Sequence, residues 1–419
     1  MKKIFISFLG TNNYIPCNYY FGSKKIENVE FIQEALIKIF FEPFDNNSFL
    51  LFFLTSKAKE VNWEKLKQRL SKYPSNQICE IDIPDGRTEE EIWEIFEKLY
   101  DNIPYNSDII FDITHAFRSI PMLAISLLNY AKVMKRINVK GIYYGAVETL
   151  GNRQTIENMP LEKRDAPIFN LTQFNELIEW SNGAYEFTKY GITTKLKELV
   201  NNRIKPILAK TKGKDSVAKN LRFISNELER ISFAFSTVRG NEIYKNIKFS
   251  EIETAFDEIY DQIEIKPYKP LIEKIKNKLS GFKNNNIKNL FYAANFCYEH
   301  NLIQQSITIL QEAIITYFCE QFNFDYKKRK HRELISQIFH IKAKNIPENE
   351  WKPPSKDDVQ LTEKLLIQVN NEFAKMFIEL SDLRNDINHS GFLDSSRSYN
   401  KFYTKIKEIY EKVMNHLFD

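Results

Sequence analysis

Residues Asp108–Pro121 read D-I-I-F-D-I-T-H-A-F-R-S-I-P, the sequence of a strand that turns into a helix. Asp108–Ile113 is an apolar run of strand length, Thr114–Arg118 is a polar elbow, and Pro121 suits the first turn of a helix, where its missing N–H leaves nothing unpaired. The helix then continues on apolar spacing through Ser119–Lys135. The same unit repeats on either side. Strands are predicted at Ile4–Leu9, Phe49–Leu54, Ile78–Ile83, Asp108–Ile113 and Gly141–Val147. Helix-length amphipathic segments lie between them at Val29–Phe40, Trp63–Tyr73, Glu89–Ile103 and Ser119–Lys135. Thr88 and Glu91 have capping-box spacing ahead of the third. Such alternation predicts an α/β, Rossmann-like domain on a parallel sheet over residues 1–165.

Doubly wound sheets bind ligands at the carboxyl ends of their strands, and two such ends carry suitable chemistry. After the first strand, Gly10, Thr11 and Asn12 offer backbone N–H groups, a hydroxyl and an amide to a nucleotide, although the same residues also make an ordinary turn. After the fourth, Thr114, His115 and Arg118 lie at the amino end of a helix, where free N–H groups and the dipole favour phosphate. The plainer alternative makes Thr114 a helix cap and His115 a satisfied loop residue. Neither G-x-x-x-x-G-K-[ST] nor G-x-G-x-x-G is present, which argues against ATP or NAD as the ligand.

The polar stretch Thr149–Pro167 reads as the connection out of the sheet domain. Beyond it the chain predicts an all-α half, with helices at Thr172–Tyr190, Val217–Phe235, Glu251–Ile263, Pro270–Lys278, Lys288–His300, Leu302–Phe322, His331–Ile341, Leu361–His389 and Tyr399–Leu417. Lys195–Lys214 and Lys327–Arg332 are locally basic; the second run suits phosphate contacts or, more simply, a solvated face. Trp351-Lys352-Pro353-Pro354-Ser355 reads as an exposed break.

A chain of 419 residues, 43% of them apolar, has the length of two or three domains. Its four Cys (Cys17, Cys79, Cys297, Cys319) lack the C-x-x-C spacing of zinc or redox sites, so reduced buried thiols are expected and no metal site is. The basic start M-K-K-I-F-I-S-F-L-G has too short an apolar run for a signal peptide, and no run reaches the ~20 residues of a membrane span. A cytoplasmic location follows as the expectation. The net charge of +4 is too small to announce nucleic acid by itself.

The carboxyl-terminal stretch Ser381–Phe392, S-D-L-R-N-D-I-N-H-S-G-F, is the strongest candidate for catalysis. Five helical residues advance ~7.5 Å and turn ~140°, so Arg384 and His389 do not share a face, whereas Asn385 and His389 at i, i+4 do meet. Gly391 marks a helix end nearby. RNA cleavage by its own ribose 2′-OH needs charge stabilisation and proton transfer, which Arg and His provide without a metal. Because the two side chains diverge, a working site is more easily assembled from two copies of the chain. That predicts a homodimer.

Together these residues resemble the CRISPR-associated CARF–HEPN ribonucleases of type III systems. Arg384-Asn385-Asp386-Ile387-Asn388-His389 resembles the family's HEPN motif, the D-I-T-H-A-F-R-S-I-P segment its second CARF ligand loop, and Phe8–Asn12 the first. Ala166–Trp180 resembles the segment by which these proteins leave the sheet domain. Family members often have Gly where this chain has Ala116, and Asp where it has Asn170. The resemblance implies a CARF-like domain at 1–165, a helical connector at 166–285 and a HEPN-like domain at 286–419. It implies that cyclic oligoadenylate, as allosteric activator, contacts Gly10, Thr11, Asn12, Thr114, His115 and Arg118. Arg384, Asn385 and His389 would then cut single-stranded RNA in antiviral defence. Two rivals are a non-catalytic nucleotide sensor or dimerisation scaffold, and a ring nuclease that opens the cyclic oligoadenylate in the sheet domain.

Overall fold

The structure is a computed structural model that describes residues 1–115, 120–262, 266–392 and 396–418. The chain divides into two compact units, Met1–Glu176 and Leu177–Asp419.

The first unit is built on an eight-stranded sheet with the order β3 (Lys24–Val29), β2 (Cys17–Phe21), β8 (Asp165–Asn170), β7 (Asn138–Gly145), β6 (Ser107–Asp112), β1 (Lys2–Phe8), β4 (Ser48–Leu54), β5 (Ile78–Asp82). The five expected strands are present as β1 (Lys2–Phe8), β4 (Ser48–Leu54), β5 (Ile78–Asp82), β6 (Ser107–Asp112) and β7 (Asn138–Gly145), all parallel to their neighbours in that set. Strand alternation sorts their side chains. Ile4, Ile6 and Phe8 of β1 join Leu51 and Phe53 of β4 on one face, against Leu99 of the Glu89–Asn102 helix and Leu127 of the Ile120–Lys135 helix. Phe5 and Phe52 point the other way, against Leu36 of the Ile32–Phe40 helix and Trp63. Burying one such ring removes enough apolar surface to contribute ~2–3 kcal/mol, so two covered faces hold the sheet between helical layers.

Three strands escape the sequence reading. β2 (Cys17–Phe21) and β3 (Lys24–Val29) form an antiparallel hairpin turning at Gly22, whose φ is +59°. β8 (Asp165–Asn170) returns into the sheet, antiparallel to β7 and parallel to β2. The sheet is therefore mixed, and Thr149–Pro167 folds back onto it instead of leaving. Part of the Trp63–Tyr73 segment also differs: a wide π turn at Lys59–Trp63 leads into a short helix, Glu64–Arg69. The capping box at Thr88 is half formed. Thr88 Oγ1 accepts from Glu91 N at 3.2 Å, while the Glu91 carboxylate takes the N–H of Arg87 rather than that of Thr88.

The second unit is all helical, and one continuous apolar core runs through it from Ala184 to Val413. The Lys288–Glu299 and Ile303–Gln321 helices form a tight hairpin, and the Asn371–Asn388 helix packs on Ile303–Gln321 and Arg329–Lys344. The long helix expected over Leu361–His389 is two, Val359–Gln368 and Asn371–Asn388. Asn370 breaks it by capping the second, accepting from Glu372 N at 2.7 Å and Phe373 N at 3.2 Å. The basic stretch at 195–214 contains an unforeseen helix, Thr194–Lys210, which buries Leu196, Val200, Ile204 and Leu208 despite Pro206. Trp351 is buried, not exposed, and its indole N–H donates to Ile346 O at 3.0 Å. Cys17, Cys297 and Cys319 are buried free thiols; Cys79 is half-buried. No helix among the described residues is long and apolar enough to cross a membrane.

Candidate functional site

The chain runs from β1 outward to β4 and β5, then crosses back to β6 and β7 on the other side of β1. The winding direction therefore reverses between β1 and β6, the place where doubly wound sheets form a ligand cleft beyond the strand ends. Gly10–Asn12 follows β1 and Thr114–His115 follows β6, so this reversal brings the two predicted loops together. A Cβ placed on Gly10 would lie 3.5 Å from the His115 Cβ and 2.8 Å from the Tyr14 hydroxyl oxygen, so a larger residue would have to displace that hydroxyl. Arg118 and Ala116 lie outside the described residues.

Both loops are pegged from beneath by residues the sequence reading passed over. The Asn62 Nδ2 donates to Gly10 O at 2.8 Å and Asn12 O at 2.9 Å, and Gly10 N donates to the Tyr14 hydroxyl at 2.6 Å. The Tyr14 ring lies 4.5 Å from the His115 ring. Asp112, fully buried at the end of β6, accepts from Thr114 N at 3.0 Å, Thr114 Oγ1 at 2.6 Å and Ser7 Oγ at 2.8 Å. Gly145 N of β7 donates to the same Thr114 hydroxyl at 2.9 Å. Gln33 Nε2 reaches Ser7 Oγ at 3.1 Å from the Ile32–Phe40 helix. A polar chain thus ties that helix to β1, β6 and β7 under the cleft. Burial pushes the Asp112 carboxyl up to about 6, partly offset by its hydrogen bonds, and pushes the His115 imidazole down to about 4, which leaves it neutral at pH 7. His115 Nε2 and Asn62 Oδ1 are buried with no hydrogen-bond partner among the described residues. In the loops, Thr114 has its hydroxyl committed to Asp112 and Gly145, while Thr11 and Asn12 remain at the surface of the cleft.

The carboxyl-terminal motif lies in the second unit. The Asn371–Asn388 helix ends with His389 as its cap, followed by left-handed Ser390 (φ 56°) and Gly391 (φ 71°). Asn385 and His389 are exposed, one helical turn apart, whereas Arg384 is half-buried and turned toward the Ile303–Gln321 helix. Its Nη1 donates to Gln311 Oε1 at 3.1 Å and lies 3.9 Å from the Glu312 carboxylate. Arg384 and His389 of one chain therefore diverge, as the five-residue step requires. Asp386, in the middle of the motif, is buried; its carboxylate accepts from Arg397 N at 2.8 Å and lies 3.8 Å from the Arg397 guanidinium. Of the basic run at 327–332, Arg332 is turned inward onto Glu312, Thr316 and the Tyr326 carbonyl, and Arg329 and Lys330 pair with Glu333 and Asp357.

One signal in the sequence points to Asp386. The buried stripe Phe373, Phe377, Leu380 and Leu383 steps at helical spacing onto Asp386, and an acid on an apolar stripe needs a partner. Asn62 and Gln311 carry no comparable mark.

Residues 4–148 match the family model described as the CARF domain of the CRISPR system endoribonuclease Csx1. Residues 176–289 match that described as the second domain of the CRISPR-associated protein MJ1674. Over 273 residues the chain is 26% identical to the CRISPR-associated protein MJ1674 of Methanocaldococcus jannaschii, an alignment covering 64% of this chain and 38% of that protein. A sheet with its cleft at the switch point, so matched, defines the class: the first unit is a Rossmann-like CARF domain. The chain is thus similar to CARF-containing, Csx1-like CRISPR proteins in its first unit and to MJ1674 beyond it, and it spans well under half the length of MJ1674.

Proposed function

We propose that this CRISPR ancillary protein is a cyclic-oligoadenylate-activated single-stranded RNA endoribonuclease that works without a metal cofactor. The observation that carries the reading is the carboxyl-terminal motif. Arg384 is tethered with its guanidinium held in one place, while His389 stands exposed at the helix end with Asn385 one turn before it. In the reaction a ribose 2′-oxygen attacks the adjacent phosphorus, giving up its proton, and the bond from phosphorus to the 5′-oxygen breaks as that oxygen gains a proton. A 2′,3′-cyclic phosphate and a 5′-hydroxyl result. Arg384 stabilises the charge on the phosphoryl oxygens, His389 moves protons, and Asn385 orients the imidazole. Since the two groups diverge within one chain, the site takes Arg384 and His389 from two copies across a two-fold axis.

The activator would bind the cleft between the Gly10–Asn12 and Thr114–His115 loops, with Arg118 and the backbone N–H groups at the helix start taking phosphates. Activation requires that the ring favour one of two dimer arrangements. The division into sensor (1–165), connector (166–285) and nuclease (286–419) belongs to the same reading.

The test incubates the purified chain with labelled single-stranded RNA in EDTA, with and without each of cyclic tri-, tetra-, penta- and hexa-adenylate. Cleavage with one activator, lost in both Arg384→Ala and His389→Ala while folding and dimerisation persist, is the expected result. Absence of cleavage with every activator overturns it. Cleavage that strictly requires added metal overturns only the metal-free mechanism.

A further inference from the structure

We infer that Gln311 is a positioning residue for Arg384, and that Ser381 sets the direction in which Gln311 acts. The inference rests on the ribonuclease reading above, and it names a residue outside the motif that the motif depends on. Ser381 Oγ donates to Phe377 O at 2.9 Å, one turn back on its own helix, so its only proton is used. Ser381 can then only accept from Gln311, whose Nε2 lies 2.7 Å away. This fixes the amide: nitrogen toward Ser381, oxygen toward Arg384, where Nη1 donates to it at 3.1 Å. Gln311 and Ser381 are both buried, so water does not compete for these bonds.

The geometry has a use at the motif. Ser381 and Arg384 are three residues apart on one helix face, and the Gln311 side chain inserts between them from the Ile303–Gln321 helix. Both tethering contacts, to Gln311 and to the Glu312 carboxylate, engage Nη1. Neither contact uses the Nη2 edge of the planar fork, which leaves it uncommitted by them for a phosphate. Glu312 also pairs with Arg332, so the trio Arg332–Glu312–Arg384 keeps a net positive charge for the anion. An unanchored arginine would sample many rotamers and offer the phosphate a poorly defined partner. Loss of the anchor should slow the chemical step more than it weakens RNA binding.

The experiment compares Gln311→Met, Gln311→Glu and Ser381→Ala in the full chain. With RNA and activator, Q311M lowers kcat by tens-fold with KM changed less than about two-fold, because its thioether cannot replace the acceptor. Q311E retains an acceptor for Arg384 and stays within about five-fold of wild type. S381A falls between them. An independent readout needs no activity: the guanidinium Nη–H signals of Arg384, assigned by their absence in R384A, stay resolved at low temperature in wild type and Q311E and average together in Q311M. Wild-type kcat and an unaltered arginine spectrum in Q311M overturn the inference. If Q311M fails to fold, Q311E and S381A carry the same comparison. Wild-type cleavage by R384A alone is a different outcome, which removes the ribonuclease role of Arg384 and the inference with it.

Discussion

Asp112 receives both the backbone N–H and the hydroxyl of Thr114, at 3.0 and 2.6 Å, so the residue that ends β6 holds the first turn of the loop beyond it. Ionising this fully buried carboxyl is opposed by burial, which lifts its pKa to about 6 from an unfolded value near 3.8. A raised carboxyl pKa stabilises the fold below the unfolded pKa, and that contribution is lost as pH rises through about 6. About two pH units at ~1.4 kcal/mol each give a loss of about 3 kcal/mol between pH 4 and pH 7. Asp112→Asn cannot ionise, and Ser7 can redirect its hydroxyl to Phe8 O, 3.1 Å away, to receive the new amide. Denaturant midpoints of the full chain should show the variant gaining on wild type across that pH window, and a pH-independent difference would refute the assignment.

Thr114→Val should destabilise the protein by ~1–3 kcal/mol, because it leaves the buried Gly145 N–H without an acceptor and Asp112 without a donor. Thr114→Ser keeps both bonds and should stay within about 1 kcal/mol of wild type. Thermal melts of the two variants separate a structural hydroxyl from one that serves only a ligand.

At the other loop, Asn62→Ala removes two donors from the carbonyls of Gly10 and Asn12. A loss of ~1–3 kcal/mol is expected. Asn62→Asp should be worse, since it sets an unpaired carboxylate against the same two oxygens. Hydrogen exchange of residues 10–14 should rise in both, in that order.

Asp386→Ala deletes a buried acceptor of the Arg397 backbone N–H and costs ~2–3 kcal/mol. Arg397→Ala leaves that bond intact and removes only the guanidinium contact at 3.8 Å, so it should cost under ~1 kcal/mol. Faster exchange across the Tyr399–Phe418 helix in the first variant alone is the expected signature.

The parallel strands and most helices were legible because each carries its own period: Ile4–Phe8 alternates onto two faces, and Ile95 and Leu99 sit one turn apart. β2 and β3 were not, because C-N-Y-Y-F and K-K-I-E-N-V are short and mixed; Cys17, Tyr19 and Val29 are buried in the core, while Phe21 and Ile26 only edge against it. Pro167 argued against a strand at β8. The strand tolerates it because each half serves one neighbour, Asp165–Pro167 pairing with β2 and Ile168–Asn170 with β7. The motif residues were legible as local spacings, whereas Gln311 lies 73 positions from Arg384 and Asn62 52 from Gly10. Such partners are brought together only by folding.

β8 also decides how the chain can be cut. Among the described strands it alone hydrogen-bonds the β2–β3 hairpin to the rest of the sheet, yet it begins after residue 148, where the match to the CARF family model ends. A sensor fragment trimmed at residue 148 or 165 would lack an interior strand and expose the unpaired edges of β7 and β2, inviting aggregation. A fragment carried through Asn170 and on to Glu176 retains the whole sheet.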